Sequence, residues 1–258
     1  MALAGTMPFN LPILMYHHLD GSADTPYALS VGQFIAQLDA LRRSGFATLT
    51  FSDLSKAMQG HRECPGKPVL LTFDDGYESF RELAVPALAG RGMKATVFVV
   101  AGEIGGFNRW DVETGIPRRA LMPEQGIREV IAAGMEVGSH GWAHRDLTAC
   151  SDAELDEEIG WSRQELQRRF GVEVGAFAYP YGRHGARLFP RLVQAGYHCA
   201  ASIFSNAKTV TENPFAMRRV YVHPGDTPLR FRYKLSPLYL RYVARRDRNK
   251  TFETFKKS

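Results

Sequence analysis

The chain has 258 residues, of which 45% are hydrophobic and 23% charged, with a net charge of +5. That composition is ordinary for a soluble globular protein and bounds the chain to one large domain or two small ones. No apolar run is long enough to span a bilayer. The three cysteines, Cys64, Cys150 and Cys199, are widely spaced with no C-x-x-C pair, which argues against a disulfide framework and a thiolate zinc site.

In chain order, the N-terminal "MALAGTMPFNLPILMYHHLD" has no positively charged leader before its apolar segment. A secretory signal is therefore not expected, and a reducing, cytoplasmic setting is. Strands are expected at 12–16, 46–50, 69–73, 95–100, 135–139, 175–179, 199–204 and 218–222. Helical patterns lie between them. Residues 31–45 place Phe34, Leu38 and Leu41 on one face and stop at Gly45; another pattern follows at 79–90 and a further one at 123–134. Residues 151–171 open with a Ser151/Glu154 capping box, carry Leu155, Ile159, Leu166 and Phe170 down one stripe, and end at Gly171. Residues 185–196 contain Pro190, which should kink the helix or delay its start.

Strand–helix alternation of this kind implies an α/β fold with a parallel sheet and right-handed crossovers, either a closed barrel or an open doubly wound sheet. Both place functional residues just past the C-terminal ends of strands. Residues 1–228 read as one domain. Residues 229–258 carry ten Lys/Arg against two Asp/Glu, a basic tail on a body of charge near −3. A solvated tail is the plainer expectation; peripheral contact with an anionic membrane is the sharper one. No nucleic-acid reader motif accompanies the basic residues, so nucleic-acid binding is not expected.

The strand at 69–73 runs straight into Asp74, Asp75 and Gly76. An Asp-Gly turn needs no function, yet here a helix pattern follows, so the pair sits at a strand-to-helix corner. His140 and His144 lie four apart, directly after the strand at 135–139. One helical turn would bring both imidazoles to one side. Two imidazoles and one carboxylate make a three-ligand metal site with open positions. The second carboxylate, held close but off the ion, could take a proton from water. A tight turn at "FAYPYGRHG" could aim backbone N–H groups into the same pocket. His223 ends the last strand.

"TFDDGY", "SHGWAH" and "YPYG", in this order, resemble the polysaccharide deacetylases with a NodB-homology domain, the family-4 carbohydrate esterases. "PILMYHHL" is similar to the start of the subgroup acting on exopolysaccharides or lipid-linked sugars. The resemblance covers about residues 12–223. It implies a distorted (β/α) barrel of seven or eight mostly parallel strands, a divalent metal, usually Zn2+, and removal of N-acetyl groups from amino sugars of a polysaccharide, oligosaccharide or lipid-linked glycan. It further implies Asp75, His140 and His144 as metal ligands and Asp74 as general base. The Tyr181 N–H would be an oxyanion donor and His223 the general acid, with His17, His18 and His184 as other candidates. Tyr77, Trp142, Tyr179 and Pro180 would contact the carbohydrate, as could Trp110.

This sequence also departs from the family pattern. Ala178 stands where many members carry an arginine, and Arg218 or Arg219 is the candidate replacement. Tyr221 stands where the late motif has leucine, and the fourth motif has no clear counterpart. An O-deacetylase or deformylase of a lipid-linked sugar is the alternative within hydrolases. Outside them stand a non-haem iron oxygenase, which also uses two His and one carboxylate, and a catalytically weakened carbohydrate-binding homologue. The sequence does not address oligomeric state.

Overall fold

The computed structural model describes residues 11–20, 25–112, 115–205, 207, 209 and 212–247. The first ten residues and 248–258, the end of the expected tail, lie outside the described residues.

Among the described residues there are eleven short strands: β1 (Ile13–Tyr16), β2 (His18–Leu19), β3 (Ala28–Leu29), β4 (Ala47–Leu49), β5 (Pro68–Phe73), β6 (Thr96–Val99), β7 (Glu136–Ser139), β8 (Ala176–Ala178), β9 (Cys199–Ser202), β10 (Met217–Arg218) and β11 (Val220–Tyr221). All but β2 and β3 join one sheet in the order β10-β9-β8-β7-β6-β5-β1-β11, with β4 also on β5. Every pairing is parallel. Only Arg219 separates β10 from β11. The same extended segment thus pairs with β9 at its start and with β1 at its end, which nearly closes the sheet into a barrel. The expected distorted (β/α) barrel is the fold. The β2–β3 pair was not legible, because two-residue strands carry no period.

Strand alternation sorts the side chains into two layers. Leu70 joins an inner cluster with Ile13, Phe98, Ala176, Ala178, Ala201 and Met217. Val69 and Leu71 join the outer cluster that packs against the helices. Small residues are required inside: a Cβ on Gly138 would lie 2.5 Å from the Phe98 ring.

Helix α1 (Val31–Arg43) starts at a Ser30/Gln33 capping box and buries Phe34, Leu38 and Leu41. Helix α2 (Phe51–Met58) starts at Thr50, and Glu136 accepts the Phe51 and Ser52 N–H groups at 2.8 Å. A π-turn over Phe80–Ala84 leads into α3 (Val85–Ala89). Then come α4 (Arg109–Val112) and α5 (Glu124–Ala132). The helix expected over 151–171 is continuous but not uniform. It runs as α6 (Asp152–Leu155), a π-helix (Asp156–Trp161) and α7 (Ser162–Phe170). The wider turn lets adjacent Glu158 and Ile159 both stay buried. Helix α8 (Leu188–Ala195) starts three residues later than its pattern, which places Pro190 in the first turn, where no N–H is needed.

Residues 228–247 form α9 (Pro228–Lys234) and α10 (Pro237–Asp247). Both pack on the barrel through Phe231, Leu235 and Val243. Lys234 donates to the Tyr221 carbonyl at 2.8 Å, and Arg218 to buried Asp247 at 2.8 Å.

Candidate active site

Along β5, Leu70, Thr72 and Asp74 fall on one face, so Asp74 continues the inward-pointing row. The chain then turns abruptly. Asp75 and Gly76 both adopt left-handed backbone, with φ of 72° and 75°. That turn gives the second carboxylate a direction that strand alternation would deny it.

The other ligand candidates leave β7. His140 and His144 are not brought together by a helical turn, as the spacing suggested. A non-helical loop does it instead, with φ of 85° at Gly141 and 58° at His144. The imidazoles lie 4.8 Å apart, near perpendicular. Each Nε2 stands 3.5 Å from Asp75 Oδ1. Asp75, His140 and His144 are all buried, and their candidate ligand atoms lie within 4.8 Å of one another.

These residues fit a cation and fit little else. His140 Nδ1 lies 2.8 Å from the Ala178 carbonyl, an acceptor only, so Nδ1 carries the proton. The bare Nε2 lone pair therefore faces a carboxylate oxygen. Asp75 Oδ1 and His144 Nδ1 have no hydrogen-bond partner. Burial, then the charges of Asp74 and Asp111, pushes Asp75 well above the usual carboxylate range. Burial likewise pushes His140 and His144 down. Acceptors converging in a buried site are repulsive on their own, and a divalent cation between them reverses that.

Asp74 is held differently. Arg219 reaches it with two parallel hydrogen bonds, Nη1 to Oδ1 at 2.5 Å and Nη2 to Oδ2 at 2.8 Å. Burial raises the Asp74 carboxyl, but Arg219, His140 and His17 outweigh it and hold its pKa at about 2. His17 Nε2 lies 4.0 Å from Asp74 Oδ2. Burial lowers His17 to about 4 despite the pull of Asp74.

A cavity of about 620 Å³ opens on these groups. Trp110 stacks on His144 at 4.4 Å and Tyr181 meets it edge-on at 4.6 Å, so aromatic rings flank that imidazole. Tyr77 lines the cavity and donates to Asp111 Oδ2 at 3.3 Å. Tyr181 is left-handed, with φ of 58°.

Three of the residues expected at the substrate are not in the cavity wall: Trp142, Tyr179 and Pro180. Tyr179 is fully buried, and its hydroxyl donates to the Phe215 carbonyl at 2.7 Å. His223 is exposed at the cavity's edge. Its contacts are the Gly225 N–H, Asp226 and the Tyr221 ring, and none is to Asp74 or Asp75. His184 is packed among Tyr179, Phe189 and Phe204, outside the cavity. Asp111 is among the cavity residues that sequence reasoning missed, although it adjoins Trp110.

A family model, Polysaccharide deacetylase, matches residues 61–200, more than half of the chain. The chain belongs to the polysaccharide deacetylase family. Among similar proteins is Bacillus subtilis YxkH, 28% identical over 218 residues, covering 84% of this chain and 73% of that protein. Another is the poly-β-1,6-N-acetyl-D-glucosamine N-deacetylase of Staphylococcus aureus, 24% identical over 206 residues, 76% of this chain and 68% of that one. The fold matches Streptococcus pyogenes deacetylase PplD, solved with acetate. That match has a TM-score of 0.77 and 23% identity, covering 90% of this chain and 100% of that one. Within this family the position of Ala178 matters twice. Its backbone carbonyl fixes His140, and the positive charge its side chain does not supply to Asp74 comes from Arg219 on another part of the sheet.

Proposed function

We propose that this deacetylase hydrolyses N-acetyl groups on an amino-sugar polymer, with β-linked N-acetylglucosamine as its substrate class and Zn2+ as its ion. The observation that carries this reading is the convergence of Asp75, His140 and His144 beside an ionised, arginine-held Asp74. The S. aureus relative, named for a β-1,6-linked N-acetylglucosamine polymer, supports the substrate class.

Asp75, His140 and His144 would hold the ion. A divalent cation there supplies Lewis acidity, acidifying water and polarising the acetyl carbonyl. Asp74 accepts the proton of the attacking water, and Arg219 keeps it ionised for that task. We assign the proton relay to His17 rather than His223: it stands 4.0 Å from Asp74 and is neutral at rest, so it would take the proton Asp74 accepts from water and hand it to the amine nitrogen as the C–N bond breaks. The Tyr181 N–H would face the oxyanion, and Tyr77 and Trp110 would contact the sugar.

The exposed side chains Leu229, Tyr233, Leu238 and Tyr242 on α9 and α10 lie among Arg232, Arg241 and Arg245. This surface supports peripheral contact with an anionic membrane. Because Lys234, Tyr239 and Val243 also line the cavity, we assign 229–247 to the catalytic unit rather than to a separate tail. No helix among the described residues is long and apolar enough to cross a membrane. Cytoplasmic placement accompanies the proposal, supported by three unbridged cysteines.

Acetate and formate release from β-1,6- and β-1,4-linked N-acetylglucosamine oligomers, O-acetylated glycans and N-formylated sugars tests the substrate class. Acetate from the N-acetylated oligomers alone supports the reading. Release from only the O-acetylated or N-formylated substrates contradicts it.

A further inference from the structure

We infer that Glu158, on the π-helix, is a positioning residue for the metal site: its buried carboxylate anchors the loop that sets the His140–His144 spacing. This rests on the metal reading above.

Glu158 is fully buried, where an ionised carboxylate is costly unless hydrogen-bonded. Its partners lie in the loop between the two histidines. Oε2 accepts the Trp142 N–H at 2.9 Å, and Oε1 accepts the Ala143 N–H at 3.0 Å. Arg145, just past His144, places Nε 3.7 Å from Oε1. One side chain therefore grips positions 142, 143 and 145, which include neither ligand but flank His144 and decide where it points. The loop has no helical hydrogen bonds of its own, and His144 carries a left-handed backbone, uncommon for a residue with a side chain.

Close packing tightens the arrangement. A Cβ on Gly141 would lie 2.4 Å from Glu158 Oε2, so glycine is required for the carboxylate to approach. The anchor is itself anchored. Ser162 donates to the Glu158 carbonyl at 2.6 Å and meets Ser139 Oγ, at the end of β7, at 2.9 Å. The π-helix serves this geometry, because its extra residue per turn turns Glu158 inward next to core Ile159.

The test is Zn2+ affinity, measured by chelator competition on metal-free protein, with the Co2+ ligand-field spectrum as second readout. Wild type, Glu158→Gln, Glu158→Asp and His144→Ala are compared, with the melting temperature of each metal-free protein recorded. Glutamine leaves one loop N–H facing an amide NH2. Aspartate keeps the charge but draws it back by one methylene. The expected result is a loss of about tenfold or more in Zn2+ affinity for either folded variant, the scale of outer-shell effects, with an altered Co2+ spectrum. A folded Glu158→Gln or Glu158→Asp protein with wild-type affinity and spectrum overturns the inference, even if its melting temperature falls. Wild-type protein that binds no more Zn2+ than His144→Ala overturns the metal reading instead.

Discussion

Arg219 and Asp74 form a bidentate ion pair in the barrel interior, with both side chains almost wholly excluded from water. The pair joins the strand that closes the barrel to the strand that opens the active site. It gives the Asp74 carboxylate a positive partner at a place where Ala178 can provide none.

Replacing Arg219 with methionine should therefore leave a buried, unpaired carboxylate. Loss of one partner of such a pair costs about 3–5 kcal/mol of stability. Asp74 should also rise from about 2, which moves the acid limb of kcat/KM to higher pH. Arg219→Lys keeps the charge without the planar fork and should fall between. An unchanged acid limb in Arg219→Met would remove Arg219 from the account.

Metal retention and activity should separate at adjacent residues. Asp74→Asn is expected to lose at least 100-fold in kcat while binding Zn2+ normally, as befits a positioned proton acceptor. Asp75→Ala and His140→Ala should lose both. Metal content by mass spectrometry alongside acetate release distinguishes these outcomes.

Acid should destabilise the metal-free protein in a defined window. His17 titrates near 6.5 when unfolded and near 4 when folded. Between those values the unfolded chain binds the extra proton, so stability is full above about pH 6.5 and falls as pH drops toward 4. The slope is about 1.4 kcal/mol per pH unit per proton. His140 and His144 shift in the same direction and add to it, whereas Asp75, whose carboxyl burial raises, works against it by taking up a proton in the folded state. Asp74 contributes at a lower range: its share is present above 3.8 and is lost as pH falls through about 2. Urea titrations of His17→Asn against wild type from pH 7 to 4 should show the variant with the shallower slope.

Gly138→Ala tests the barrel interior. The added methyl would meet the Phe98 ring at 2.5 Å, and overpacking of this kind costs about 1–3 kcal/mol. A melting temperature equal to wild type would mean that the inner layer is looser than described.

Much of this molecule was legible in the chain. Short continuous apolar runs such as 69–73 and 95–100 marked strands because both of their faces are buried. The Asp-Asp-Gly corner and the paired histidines stood at strand ends, where side chains of an α/β fold converge. What was not legible depends on contacts distant in sequence. Nothing near Glu158 distinguishes it from the acidic residues around it, since only the π-turn points it inward. The Arg219–Asp74 pair spans 145 positions, and only barrel closure brings its ends together. His223 matches a motif by order, but its ring packs against Tyr221, and its contacts include neither Asp74 nor Asp75. Trp142 is an aromatic that sequence alone offers as a sugar platform; its N–H donates to Glu158, a contact sixteen positions away that no local pattern marks.

The central claim is a cation-dependent deacetylation at Asp75, His140 and His144. Acetate release from a β-1,6-linked N-acetylglucosamine pentamer should be measured for wild type as purified, after chelation, and after Zn2+ is restored. Activity should disappear on chelation and return with Zn2+, while His144→Ala stays inactive throughout. Undiminished acetate release by the fully chelated protein would contradict it.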